Sequence, residues 1–140
     1  MTEQLPNMQD YEETYRGFRL DVFGYFNFGQ NVVDRWARDR TKLALTSVDP
    51  RGDRAEQHTF WDLKMLSNRF ANIVRGLGVS KGDRVFIMLP RTPQQYVAMV
   101  GMMKLGAVPT PATTLCTPKD IEYRINVSEA SMVIADVETP

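Results

Sequence analysis

The sequence predicts an α/β fold, a β-α-β-α-β parallel sheet preceded by a helix and a β-hairpin. Three observations predict it. The second half alternates short apolar runs with helical patterns, and that alternation builds parallel sheets with right-handed crossovers. The run Val85 to Leu89 is apolar without a break and stops at Pro90, as in a strand covered on both faces. Thr59, Thr92 and Thr117 lie three residues before Asp62, Gln95 and Asp120, the spacing of a capping box at a helix start.

Each element follows in order. Residues 1–26 show no clean period but carry Tyr11, Tyr15, Phe18, Phe23, Tyr25 and Phe26, which reads as an arm that packs on something. Residues 27–140 form the remaining unit. Phe28, Val32 and Trp36 recur at i, i+4 and i+8, one helical face, and Arg35, Arg38 and Arg40 solvate the other. Leu43 to Val48 and Arg54 to Thr59 flank Asp49-Pro50-Arg51-Gly52-Asp53, so they read as a hairpin whose aspartates serve the turn rather than a metal. Behind Thr59 an amphipathic helix carries Leu63, Leu66, Phe70, Ile73, Val74 and Leu77 and closes at Gly76 or Gly78. The helix Pro93 to Leu105 is apolar nearly all round. It must be covered on several sides, and the sheet covers only one.

Gly106 stops that helix. Ala107 to Ala112 then reads as a strand containing Pro109 and Pro111, each lacking a backbone donor. The prolines are expected to stop ladder pairing and bend the chain at the ligand-facing rim, marked by the strand ends Pro90, Ala112 and Asp136. A fourth helix follows Thr117, with Ile121 and Ile125 on one face, and Met132 to Asp136 forms a second short buried strand.

A chain of 140 residues with 43% hydrophobic content is enough for one core. Seventeen basic and seventeen acidic residues leave no excess for nucleic acid. The single cysteine, Cys116, suits a reducing compartment. The polar, acidic start is neither signal nor transit peptide, and the longest apolar run is too short for a membrane span, so a cytoplasmic protein is expected. Gly76 to Gly82 fails as a dinucleotide fingerprint, because it follows a helix and precedes a strand. His58, the only histidine, stands just before a helix cap without a nucleophile placed beside it, which favours a structural role. Asn126-Val127-Ser128 lies within an expected helix, against glycosylation.

One longer run is more specific. Thr59-Phe60-Trp61-Asp62-Leu63 is followed by a GxxxGDRV turn and strand from Gly78 to Val85, then Leu89-Pro90-Arg91, Lys104-Leu105-Gly106-Ala107 with its proline strand, and Asp120 to Ile125. With Phe26 to Ala37, these motifs resemble the adenylate-forming (AMP-binding) acyl-CoA synthetase family, most like its medium-chain branch, over roughly residues 24–136. The resemblance implies the N-terminal portion of an acyl-CoA synthetase-like large domain. It implies an intact enzyme that uses ATP, Mg²⁺ and coenzyme A to convert a carboxylic acid to an acyl-adenylate and then a thioester. The family's phosphate loop, acidic ATP motif and late lysine are not in this sequence, so the 140-residue chain is expected to be inactive, to bind none of these cofactors and to provide no catalytic residue. It further implies that Thr113, Thr114 and Leu115 line the acyl and coenzyme A channel. Leu115 stands where medium-chain relatives place a polar residue, and leucine cannot make that hydrogen bond. Apolar surface left bare in a fragment predicts self-association. A stand-alone nucleotide-binding module and a non-catalytic interaction domain remain open beside this reading.

Overall fold

The computed structural model describes residues 10–20 and 22–136. The start of the arm, residues 1–9, and the last four residues, 137–140, lie outside the described residues, as does Asp21. Within them the order is α1 (Tyr11–Gly17), a π-helix (Gly29–Asp34), β1 (Leu43–Val48), β2 (Ala55–Thr59), α2 (Phe60–Gly76), β3 (Arg84–Met88), α3 (Pro93–Leu105), β4 (Val108–Pro111), α4 (Pro118–Ser128) and β5 (Met132–Ala135). β1 and β2 pair antiparallel. β4, β3 and β5 form a parallel sheet with β3 in the centre. The α/β class and the order of its second half are those the sequence predicts.

β3 is buried on both faces. Val85, Phe86, Ile87 and Met88 are at most 4% exposed. Val85 and Ile87 join Val74 of α2, Met102 of α3, Val79 and Ala107 in one core, with Met132 and Ile134 packed against it. β5 departs from expectation. Its residues alternate between partly covered and exposed, because only one face of the strand packs on the core: Met132 and Ile134 lie against it, whereas Val133 is on the opposite, exposed face.

α2 begins as the sequence says. The Thr59 hydroxyl accepts from the Asp62 N–H at 3.1 Å, and the Asp62 carboxylate accepts from the Thr59 N–H at 2.9 Å. α2 ends where Val79 N–H reaches the Val74 carbonyl and Gly78 adopts φ +99°, a conformation glycine takes without strain. α4 has the same reciprocal box between Thr117 and Asp120. α3 does not. Thr92 precedes the helix, but its hydroxyl makes only a long contact, 3.5 Å, to the Pro90 carbonyl and caps nothing. The Gln95 amide that such a cap would serve donates instead to the Thr92 backbone carbonyl at 3.0 Å.

α3 is covered on more sides than the sheet provides, as its composition requires. α2 lies along it, and the contact is close enough that a Cβ on Gly101 would sit 2.8 Å from the Ser67 carbonyl oxygen and 2.7 Å from the Phe70 ring. The uncovered apolar surface therefore lies elsewhere. Leu66, Ile73 and Leu77 of α2, expected in the core, are exposed along one stripe, while Ser67 and Val74 occupy the buried face.

Two further expectations change. The buried side of the π-helical segment is Gly29, Val33 and Ala37, one residue on from the Phe28, Val32 and Trp36 face. The reason is steric: Gly29 has no side chain and packs directly on the Lys104 stem. In β4 the prolines do not interrupt the ladder with β3. Val108 and Ala112 donate to the Asp83 and Ile87 carbonyls at 2.8 Å, and the Thr110 hydroxyl reaches the Val85 carbonyl. Pro109 and Pro111 occupy the alternate positions, whose nitrogens face away from β3.

Candidate functional site

Because β3, β4 and β5 run parallel, their C-terminal ends share one rim, the place where open α/β sheets bind ligands. Two loops leave that rim. Pro90-Arg91-Thr92 follows β3 and turns into α3, with Arg91 exposed. Residues 112–117 follow β4 and turn into α4. The structure places Thr113, Thr114 and Leu115 in the second loop, all exposed. The Thr113 hydroxyl accepts from the Leu115 N–H at 3.2 Å, and the Thr113 carbonyl accepts from the Cys116 N–H at 3.2 Å. This local turn leaves the Leu115 side chain 86% exposed on the rim. Cys116 is a free, half-buried thiol at the loop's end.

The motif Lys104-Leu105-Gly106-Ala107 acquires a physical meaning in three dimensions. The Lys104 side chain is 6% exposed, and its ammonium donates to Asp34 Oδ1 and Asn68 Oδ1, each at 2.7 Å. A weaker contact reaches the Lys64 carbonyl at 3.5 Å. One cation thereby joins the π-helix, α2 and α3. Asn27 adds a second tie, donating to the Met103 carbonyl at 2.8 Å. Gly106 follows in the left-handed region at φ +79°, which ends α3, and Ala107 enters the core. The motif's lysine is a structural clamp. Sequence reasoning missed it because its partners lie 70 and 36 residues away. The one available signal was polar Asn68 beside the Ser67 position on the inner side of α2.

Other residues singled out by the sequence have local employment. Asp49 Oδ1 accepts from the Asp53 and Arg54 amides at 2.8 and 3.2 Å, the turn role expected of it. His58 pairs opposite Leu45 in the hairpin, its Nε2 3.8 Å from a Glu56 carboxylate oxygen and without a hydrogen bond. The Thr59 hydroxyl and then its amide hold the Asp62 carboxyl below the usual aspartate range, and Thr117 does the same for Asp120. Among the described residues, no three His, Cys, Asp or Glu side chains gather as a metal site would require. None of the described helices is long and apolar enough to cross a membrane. The rim presents the Arg91 guanidinium on one loop and the Thr113 and Thr114 hydroxyls on the other, all on exposed residues.

A parallel α/β sheet whose loops converge on one rim defines a ligand-binding α/β domain. The chain belongs to the AMP-binding enzyme family, which matches residues 32–140. It is 36% identical over 142 residues to human acyl-coenzyme A synthetase ACSM3, mitochondrial, covering 96% of this chain and 24% of that protein. It is also 36% identical over 144 residues to the acetyl-coenzyme A synthetase of Bacillus subtilis, covering 94% of this chain and 25% of the relative. Among solved structures, the Brucella canis acyl-CoA synthetase superposes with a TM-score of 0.77 at 28% identity, over 93% of this chain and 24% of that one. The chain spans about a quarter of the length of the curated relatives it matches.

Proposed function

We propose that this chain is the N-terminal part of an ATP-dependent acyl-CoA synthetase of the medium-chain branch, with residues 1–26 an arm and residues 27–140 an incomplete part of the AMP-binding domain. The intact enzyme activates a small carboxylic acid as its acyl-adenylate and passes the acyl group to coenzyme A, using ATP and Mg²⁺ in the cytoplasm. The observation that carries this reading is the 36% identity to acyl-CoA and acetyl-CoA synthetases along nearly the whole chain.

In this reading Thr113, Thr114 and Leu115 line the acyl and coenzyme A channel. Their exposure at the C-terminal rim of β4 supports that role. The fit to coenzyme A is partial: Thr114 has a hydroxyl to offer, whereas Leu115 provides only apolar contact. The family's phosphate loop, acidic ATP motif and late lysine are not among these 140 residues, so the 140 residues alone are expected to be inactive. Carboxylate-dependent ATP–pyrophosphate exchange tests this. The 140-residue chain is expected to give none, and a reading frame that extends it to the relatives' length is expected to form the acyl-CoA thioester. Exchange by the short chain, or its absence in the long one, overturns the reading.

The chain alone self-associates in this reading. The exposed stripe Leu66, Ile73 and Leu77 on α2 supports that, as does the open side of β5. Sedimentation velocity is expected to show a dimer that dissociates on dilution. A monomer at all concentrations refutes it.

A further inference from the structure

β4 is a short strand with little freedom to bend. Pro109 and Pro111 fix φ at two of its four residues, and each holds the residue before it, Val108 and Thr110, to extended backbone. The same prolines leave β4 no amide to donate at those two positions, so its fastening is to β3. Between the amide bonds of Val108 and Ala112, at 2.8 Å each, the Thr110 hydroxyl donates to the Val85 carbonyl at 3.0 Å. Val85 is wholly buried in the central strand, where water does little to weaken such a bond. The contact lies between two neighbouring strands, inside the sheet.

The loop that follows β4 carries Thr113, Thr114 and Leu115. Its hydrogen bonds from the Leu115 N–H to the Thr113 hydroxyl and from the Cys116 N–H to the Thr113 carbonyl close a turn and do not reach β3. The turn rides on the end of β4. A strand that cannot flex passes a displacement at Thr110 on to Thr113 rather than absorbing it.

We infer that Thr110 is a positioning residue for the rim. Its hydroxyl pins β4 on β3 and so sets where Thr113 and Thr114 present their own hydroxyls to coenzyme A. The link to coenzyme A rests on the reading of these residues as channel lining, whereas the pinning of the loop does not. Serine at position 110 can make the same bond. Valine, of nearly the same shape, cannot.

Thr110→Val and Thr110→Ser test the inference at two levels. In the 140-residue chain Cys116 is the single thiol, half-buried at the loop's end, so its alkylation by iodoacetamide reports on the loop. Thr110→Val is expected to speed alkylation by about fivefold, and Thr110→Ser to keep the original rate. Thr59→Ala, which weakens a helix start in another part of the chain, controls for lost global stability and should leave the rate nearly unchanged. In the enzyme extended to the relatives' length, Thr110→Val should raise KM for coenzyme A by about fivefold with a smaller fall in kcat, and Thr110→Ser should restore it. Unchanged alkylation of the valine variant, or an equal rise in Thr59→Ala, overturns the positioning role. Faster alkylation with KM for coenzyme A unmoved overturns its link to coenzyme A. An extended enzyme that forms no thioester refutes the acyl-CoA synthetase reading instead, and the alkylation rates still decide whether Thr110 positions the loop.

Discussion

The layer made by α2, α3 and β3 and the segment from Val22 to Lys42 are both rich in large apolar side chains. In the first, Val74, Val85, Ile87 and Met102 are buried together, and Gly101 lets the two helices meet backbone to side chain. In the second, Phe23, Tyr25, Phe26 and Trp36 face solvent, and the segment is tied to the layer by Gly29, Val33, Ala37 and the polar bonds of Asn27, Asp34 and Lys104. Composition does not distinguish the two. The difference lies in what holds each: interlocked surface in the layer, a small patch and one buried cation in the segment.

The largest effect is expected where the two regions join. Lys104→Met leaves the Asp34 carboxylate and the Asn68 oxygen without their donor, and breaking such a pair should cost about 3 kcal/mol. Urea unfolding measures the loss, and proteolysis between residues 22 and 42 should accelerate. A variant with unchanged stability and cleavage would show that the clamp does not hold the segment. Gly101→Ala tests the layer itself. The new methyl group meets the Ser67 carbonyl, which cannot move without α2, so about 2 kcal/mol should be lost. Here the cleavage rate of the 22–42 segment should rise no more than global stability requires.

Smaller effects separate three helix starts that look alike in sequence. Thr59→Ala and Thr117→Ala each remove a reciprocal box and should cost about 1 kcal/mol. Thr92→Ala removes a hydroxyl that caps nothing and should cost only about a few tenths. Equal losses in all three melts would contradict the geometry. The least effect is in acid. The Asp62 and Asp120 carboxyls titrate below the ordinary aspartate value in the folded protein, so their contribution is present above that value. It is lost as pH falls from about 4 through the lowered folded values. Asp62→Ala with Asp120→Ala should flatten the dependence of the melting temperature on pH in that window.

What could be read in the sequence was local. The boxes at Thr59 and Thr117, the glycine stops at Gly78 and Gly106 and the apolar run of β3 each carry their reason within a few residues. α1 was also within reach, since Asp10 accepts from the Glu13 amide at 2.9 Å and Tyr11 stacks on Tyr15 one turn later, yet the surrounding aromatics masked its period. The burial register of the π-helix was not legible, because Gly29 is buried by a lysine stem from the far end of α3. Nor was the Thr92 hydroxyl's idle state, since Pro93 beside it made the start look stronger than its bonds are. Of the rim, the sequence indicated the loop 112–117 through the strand end at Ala112. The Thr113 turn and the outward Leu115 depend on backbone conformation that residue types alone do not specify.

The odd-numbered prolines of β4 have a consequence for growth. Their nitrogens are turned to the outside, so that margin of the three-stranded sheet offers a new strand no hydrogen at two successive donor positions. The margin at β5 carries no proline. A sheet with one receptive margin and one closed margin adds partners in a single direction. Two copies that meet β5 to β5 exhaust each other's capacity, and neither retains a margin of this sheet for a third. By this route assembly terminates at a pair, whereas the same sheet with valines in place of Pro109 and Pro111 could add copies end upon end into a ribbon.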